Sequence, residues 1–179
     1  GEAANEGLYD TYAVFLDLYG TLAHFQPPRE EVQAQACKSF GIKVTRDGLL
    51  RGYAQADEYM GRENAGQLPL GLRTPKGLQR FFTEYEKLIL TTAGVDVDLE
   101  AAGKIWTKVQ QIPHSLALFD DVLPTLDMLK LKGLTLGILS NITRDMDVLS
   151  REMGLEPYLD FTITSGEIGA GKPHPPIFL

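Results

Sequence analysis

The stretch AVFLDLYGTL, residues 13–22, decides the fold of this chain. It opens with an apolar run that has no polar alternation, which is typical of a strand buried on both faces of a sheet. Asp17 ends that run, and Gly20 and Thr21 follow it as a turn. Open α/β sheets bind their ligands beyond the carboxyl ends of the strands. Asp17 is therefore the first candidate for a catalytic residue.

Two later apolar runs also lead to polar residues. Ser140 and Asn141 directly follow the second run, and Lys172 lies in a Gly-Lys-Pro segment after the third. Taken singly, each residue has an ordinary alternative: Asp17 can cap its turn, and Lys172 can be a solvated surface lysine. Taken together, a carboxylate, a hydroxyl and an amine at three strand ends form a candidate site.

Length, composition and charge exclude several classes of protein. The chain has 179 residues, of which 44% are hydrophobic, so it can bury a core in one or two domains. The net charge of −7, without a cluster of Lys and Arg, argues against nucleic acid or an anionic membrane as a partner. No apolar run approaches the ~18 residues of a membrane span. The first ten residues lack the pattern of a signal peptide, so we expect a cytoplasmic protein. Its single cysteine, Cys37, is expected to be a small buried residue.

Four amphipathic helices are predicted between the first strand and a second hinge strand at 113–119. The prolines at positions 27 and 28 predict irregular structure directly after the first strand. Four helices are too many for a simple crossover, so they predict a small helical bundle. Their expected extents are 29–41, 45–62, 74–94 and 98–111.

The rest of the chain alternates helices and strands, which predicts a parallel, right-handed α/β sheet. The expected elements are a helix at 121–133, a strand at 134–139, a helix at 144–153, a strand at 161–164, a flexible loop at 166–171 and a proline-started helix after it.

Three motifs, in this order, resemble the haloacid dehalogenase-like (HAD) hydrolase superfamily over residues 12–179. They are Asp-x-x-Gly-Thr-Leu from position 17, a strand followed by Ser-Asn, and Gly-x-Gly-Lys-Pro-x-Pro-x-Ile-Phe from position 169. The resemblance implies a Rossmann-like parallel sheet core, residues 1–23 and 114–179, with an inserted α-helical bundle cap, residues 24–113. The family's fourth motif, an acidic pair on a strand beside the first, does not occur in the sequence. We therefore expect residues beyond 179, or another element that covers that edge.

The resemblance also implies roles for the residues at the strand ends. Asp17 is the nucleophile, and the covalent intermediate it forms is cleaved by water. Thr21 and Ser140 hydrogen-bond the transferring group, with the backbone N–H of Asn141 as a further donor. Lys172 neutralises the negative charge that develops there.

Tyr19 departs from the pattern of phosphatases in this family, which carry a second aspartate at this position. A phenol with a pKa near 10 is a poor acid near neutrality, whereas a halide leaves without a proton. The form Asp-x-Tyr-Gly-Thr-Leu resembles the 2-haloacid dehalogenases, which use no metal, but the loop leading to Lys172 looks more like that of the phosphatases. In a phosphatase, Mg²⁺ is expected on Asp17 and the backbone carbonyl of Tyr19. In a dehalogenase, Arg51 is the candidate cation for the substrate carboxylate.

Three hypotheses follow for a chain expected to take a small anionic substrate. The first is a Mg²⁺-dependent phosphatase of a small phosphorylated metabolite. The second is a metal-independent 2-haloacid dehalogenase, and the third is a HAD-like binding protein without turnover.

Overall fold

The structure, a computed structural model, describes residues 11–142, 144–168, 171–172 and 174–179. The strands in this part of the chain are β1 (Ala13–Leu16), β2 (Ala23–Gln26), β3 (Ser115–Leu118), β4 (Thr135–Ser140) and β5 (Phe161–Thr164). The α-helices are α1 (Arg29–Ser39), α2 (Arg46–Ala65), α3 (Pro75–Thr92), α4 (Leu99–Gln111), α5 (Val122–Leu131), α6 (Met146–Glu152) and α7 (Ser165–Ile168). Short 3₁₀ helices span Leu70–Leu72, Glu156–Tyr158 and Pro175–Phe178.

Three strands form a parallel sheet in which β4 lies between β1 and β5. Leu16 at the end of β1 is opposite Ile138, and Ser140 at the end of β4 is opposite Thr164. The carboxyl ends of the strands therefore meet at one edge of the sheet. This confirms the predicted parallel α/β architecture and places Asp17 and Ser140 on neighbouring strands.

The expectation that β1 is buried on both faces is wrong. Val14 and Leu16 are half-buried against the core, whereas Ala13 is exposed and Phe15 is 53% exposed. The ring of Phe161 lies 5.2 Å from that of Phe15 on this open face. No strand among the described residues pairs with the second edge of β1, so within them the expected covering element is not found.

The hydrophobic core beside the parallel sheet lies on its other face, where α5 and α6 pack. An apolar run alone does not reveal which face will be covered, because both faces of β1 carry apolar side chains. The buried residues of this core are Leu18, Leu22, Ala23, Val122, Leu126, Leu136, Ile138, Ile142, Met146, Leu149 and Leu155.

Helices α1 to α4 pack on one another as the predicted bundle. Its long helices begin where the sequence indicates, because the caps act locally. The side chains of Thr45, Thr74 and Asp98 each accept a hydrogen bond from the backbone N–H three residues on. Cys37 is fully buried in this bundle, as expected. Among the described helices, none is both long and apolar enough to cross a membrane.

The prediction of irregular structure directly after the first strand is wrong, because the first residues of that stretch form the strand β2. β2 pairs antiparallel with β3, with His24 opposite Ala117 and Gln26 opposite Ser115. Both connections to the helical bundle therefore run through one two-stranded ribbon. The pairing partner lies about 90 residues away, so no local signal before the prolines predicts this strand.

The segment before Lys172 also differs from its prediction. Residues Ser165–Ile168 form the short helix α7 rather than a flexible loop, and residues 169 and 170 lie outside the described part. The helix expected after Lys172 is a 3₁₀ helix, Pro175–Phe178. Helix α6 begins two residues later than expected, because Asp145 caps it by accepting from two backbone N–H groups.

Candidate active site

Asp17 is held between a paired strand and a tight turn. On one side, β1 is hydrogen-bonded to β4. On the other side, the carbonyl of the fully buried Leu18 accepts from the N–H groups of Thr21 at 3.3 Å and Leu22 at 2.9 Å. Gly20 allows this turn because its φ of 73° lies in the left-handed region. The Asp17 carboxylate is therefore presented at the sheet edge by a backbone fixed on both sides.

Lys172 meets Asp17 across 155 positions of sequence. The Nζ of Lys172 donates to Oδ1 of Asp17 at 2.7 Å. The two side chains are 27% and 42% exposed, so the pair stabilises the fold by at most about 1 kcal/mol. The contact instead orients the two side chains, because it holds a cation beside a carboxylate that solvent and a small substrate can reach.

Asn141 holds the backbone of Lys172 from both sides. Its Oδ1 accepts from the N–H of Lys172 at 2.5 Å, and its Nδ2 donates to the carbonyl of Lys172 at 3.1 Å. A Cβ on Gly171 would lie 2.6 Å from that Oδ1, so the close approach requires glycine there. The sequence indicated only the Asn141 backbone as a donor, and this clasp by the side chain was not predicted.

Ser140 ends β4 beside Asp17 but is only 1% exposed. Its Oγ accepts from the N–H of Ile142 at 3.3 Å, within its own loop. No hydrogen bond among the described residues joins it to Asp17 or Lys172. Its role toward a transferring group stays a prediction.

Thr21 is exposed in the turn that follows Asp17. Its backbone N–H is used by the turn, whereas its hydroxyl makes no hydrogen bond with the described residues. The hydroxyl is therefore available to a ligand.

Tyr19 packs its ring against Phe25 of β2, with the centroids 5.6 Å apart and the planes inclined by 21°. Burial raises the pKa of the Tyr19 phenol above 10, and the nearby charge of Arg144 opposes this only in part. The phenol therefore keeps its proton at neutral pH, so it can donate a hydrogen bond but cannot act as a base. Arg144 was not predicted, although a cation in the loop after β4 was a readable signal.

Arg51 is not brought to this site by any described contact. It is exposed on α2, where the buried face is formed by residues such as Leu49 and Tyr53. It makes no hydrogen bond or ion pair with the described residues.

The comparison with protein families decides the identity of the fold. The model of the haloacid dehalogenase-like hydrolases matches residues 12–179. The chain belongs to this family. HAD hydrolase membership agrees with the Rossmann-like sheet, the inserted helices and the order of motifs that the sequence indicated.

Two curated relatives are both haloacid dehalogenase-like hydrolase domain-containing protein 3. The human protein is 26% identical over 166 residues, and the mouse protein is 32% identical over 171 residues. Each match covers 90% of this chain and 64% of the relative. The chain thus spans less than two thirds of the length of these relatives.

Solved structures of HAD proteins share the fold at low sequence identity. A protein described as a HAD-hydrolase, YfnB from Bacillus subtilis bound to magnesium, has a TM-score of 0.60 and 17% identity over 94% of this chain and 70% of its own. The L-2-haloacid dehalogenase RSc1362 has a TM-score of 0.59 and 20% identity over 95% of this chain and 70% of its own. A predicted phosphoglycolate phosphatase from Haemophilus somnus has a TM-score of 0.56 and 15% identity over 96% of this chain and 70% of its own. These neighbours include a protein described as a dehalogenase and one described as a phosphatase. Their likeness to this chain therefore shows the HAD fold alone and does not indicate which reaction it carries out.

The HAD site offers a metal ion few protein ligands within the described residues. They contain no group of three or more His, Cys, Asp or Glu side chains that could hold a metal. The predicted ligands, the Asp17 carboxylate and the Tyr19 carbonyl, supply oxygen atoms, which Mg²⁺ prefers. Because Mg²⁺ is commonly bound by one or two carboxylates together with substrate phosphate and water, this donor set fits an ion shared with a bound phosphate.

Proposed function

We propose that this HAD hydrolase is a Mg²⁺-dependent phosphatase of a small phosphorylated metabolite, with Asp17 as its nucleophile. The observation that carries the proposal is the 2.7 Å contact between Lys172 Nζ and Asp17 Oδ1 at the carboxyl edge of the sheet. A carboxylate attacks phosphorus well only when the negative charge of the phosphoryl oxygens is offset. The Lys172 ammonium beside the carboxylate provides that offset.

In this mechanism the second carboxylate oxygen of Asp17 attacks, because Oδ1 is occupied by Lys172. The bond from phosphorus to the ester oxygen breaks with its electron pair on that oxygen, which takes a proton from solvent water and leaves as the alcohol, and an aspartyl phosphate forms. Water then attacks this intermediate and releases phosphate, which restores the carboxylate. Thr21 and Lys172 hydrogen-bond the phosphoryl oxygens during both displacements. Mg²⁺, when held by Asp17 and the Tyr19 carbonyl, supplies further neutralisation of charge.

We propose further that residues 24–113 are a cap over a core formed by residues 1–23 and 114–179. Support comes from the ribbon of β2 and β3, which contains both connections to the four-helix bundle. A lid of this kind excludes water and selects substrates. Arg51 is exposed on α2 and has no described contact with the Asp17 site, so its role as a substrate ligand stays a prediction.

Tyr19 favours a second candidate function, 2-haloacid dehalogenation. Its raised pKa makes it a poor donor of a proton to a leaving alkoxide, whereas a halide needs none. In this reaction the Asp17 oxygen displaces halide from carbon, and water cleaves the resulting ester.

The deciding experiment compares the two reactions in the purified full-length protein. Release of phosphate from p-nitrophenyl phosphate and a panel of phosphorylated metabolites is measured with Mg²⁺ and with EDTA. Release of chloride from 2-chloropropionate is measured in EDTA. Phosphate release that requires Mg²⁺ supports the first proposal, and metal-independent chloride release supports the second.

Asp17→Asn tests the nucleophile, with Asp96→Asn as the matched control, since Asp96 is exposed and without a hydrogen bond to the described residues. We expect Asp17→Asn to abolish whichever reaction is found and the control to match the wild type. Activity retained in Asp17→Asn would refute the role of Asp17. Absence of both reactions in the wild type would refute both enzymatic proposals and favour a binding protein.

A further inference from the structure

His174 connects the segment that carries Lys172 to the helical bundle. Its Nε2 lies 2.6 Å from the backbone carbonyl oxygen of Asn64 in α2, 110 positions away in sequence. A carbonyl only accepts, so Nε2 carries the proton and donates. The ring is half-buried in this contact.

The carbonyl of Asn64 is one that the helix itself leaves without a partner. Asn64 is the penultimate residue of α2, and the last four carbonyls of an α-helix have no N–H within the helix to accept from. These carbonyls also form the negative end of the helix dipole, which favours a histidine donor. The hydrogen bond from His174 therefore satisfies a group that would otherwise require water.

On the bundle side, the contact point is fixed by the segment 63–73, which we call the α2–α3 connection. The Oδ1 of Asn64 accepts from the N–H of Leu70 at 3.1 Å. Arg73 pairs with Glu63 at 2.5 Å and donates to the carbonyl of Leu68 at 3.0 Å. The carbonyl that faces His174 is thus part of a folded connection rather than a free helix end.

On the core side, the backbone N–H of His174 donates to the carbonyl of Gly171 at 2.9 Å. Lys172, between these two residues, is clasped by Asn141 and donates to Asp17. The backbone hydrogen bond of His174 to Gly171 therefore ties its ring to the segment from which the Lys172 ammonium extends. The chain of contacts runs from the bundle through His174 to the candidate nucleophile.

We propose that His174 is a positioning residue that couples docking of the helical bundle to the placement of Lys172 against Asp17. This inference rests on the proposed function of the Asp17 site but concerns a residue that touches no reacting atom. When the bundle lies against the core, the Nε2–H of His174 reaches Asn64 and the lysine is held in register. When the bundle moves away, that restraint is lost and the turn relaxes.

The test uses His174→Ala and His174→Gln in the full-length protein. Glutamine carries a terminal amide N–H close to the position of Nε2, so it can keep the donor, whereas alanine cannot. Gln67→Ala is the matched control, since Gln67 is exposed in the same connection and makes no hydrogen bond with the described residues. We expect kcat to fall about 10- to 100-fold in His174→Ala, because small misplacements of a catalytic group cost that much. We expect His174→Gln to recover most of the loss and Gln67→Ala to behave as the wild type.

A role limited to stability would lower Tm in His174→Ala and leave kcat unchanged at a temperature where the variant is folded, which would overturn the proposal. Equal losses of kcat in the alanine and glutamine variants would also overturn it.

Amide hydrogen exchange of residues 63–73 supplies a readout that does not require turnover. We expect faster exchange there in His174→Ala than in the wild type or His174→Gln. If the wild type hydrolyses neither class of substrate, the proposed function fails, and this exchange still decides whether His174 holds the bundle. Unchanged exchange in His174→Ala would overturn the coupling.

Discussion

Glu86 is a carboxyl group inside the helical bundle, and its removal leads to a quantitative prediction. It lies on α3 with no exposed surface. One oxygen accepts from Nε2 of Gln33, whereas the other has no hydrogen-bond partner among the described residues. The thiol of Cys37 on α1 and the phenol of Tyr53 on α2 face the Glu86 carboxyl, and neither supplies a positive charge. Burial raises the pKa of Glu86 to about 7, although the hydrogen bond from Gln33 lowers it in part.

The magnitude follows from the difference between this pKa and the ordinary value of 4.5. Each pKa unit is worth ~1.4 kcal/mol, so the carboxyl contributes about 3 kcal/mol to the pH dependence of unfolding. Below pH 4.5 the folded and unfolded chains both hold the proton. Between pH 4.5 and about 7 only the folded chain holds it. The free energy of unfolding therefore falls as the pH rises through this window and levels off above it.

Glu86→Gln removes the titration while keeping the oxygen that accepts from Gln33. Between pH 4.5 and pH 8 we expect the free energy of unfolding of the variant to rise by about 3 kcal/mol relative to that of the wild type, whatever the difference between the two at low pH. Urea unfolding followed by circular dichroism at several pH values measures this difference. Glu152→Gln, at an exposed glutamate, is the control and should follow the wild type. A wild type and a Glu86→Gln variant with parallel pH profiles would refute the reasoning.

Four further substitutions test close contacts of the backbone and the chemistry of the site. Gly171→Ala should lower activity about 10-fold, because its Cβ would displace the Asn141 side chain from Lys172; an unchanged kcat would show that the clasp does not matter. Gly52→Ala should destabilise the bundle by about 1–3 kcal/mol in urea unfolding, because its Cβ would clash with the α3 backbone, whereas Gly61→Ala on the open side of α2 should stabilise it by about 0.5–1 kcal/mol. Tyr19→Asp should raise hydrolysis of phosphate esters by about 10²-fold by supplying a general acid, and a fall in that rate would count against the phosphatase proposal.

The sequence by itself determined the elements whose signals are local. The predicted helix starts agree with the observed N-caps at Thr45, Thr74 and Asp98, because an N-cap side chain bonds to its own helix. The order of strands and helices predicted the parallel sheet, and apolar runs that end in polar residues indicated Asp17 and Lys172 as parts of one candidate site. Each inference depends on neighbours in sequence or on a general rule of topology.

Only the tertiary structure decided which surfaces and side chains meet. The open face of β1, the pairing of β2 with β3 and the clasp of Asn141 on Lys172 all depend on partners far away in sequence. The same is true of the burial of Glu86 and of the contact between His174 and Asn64. Local patterns state what a residue can do, whereas hydrogen bonds and burial depend on distances that only the packed chain fixes.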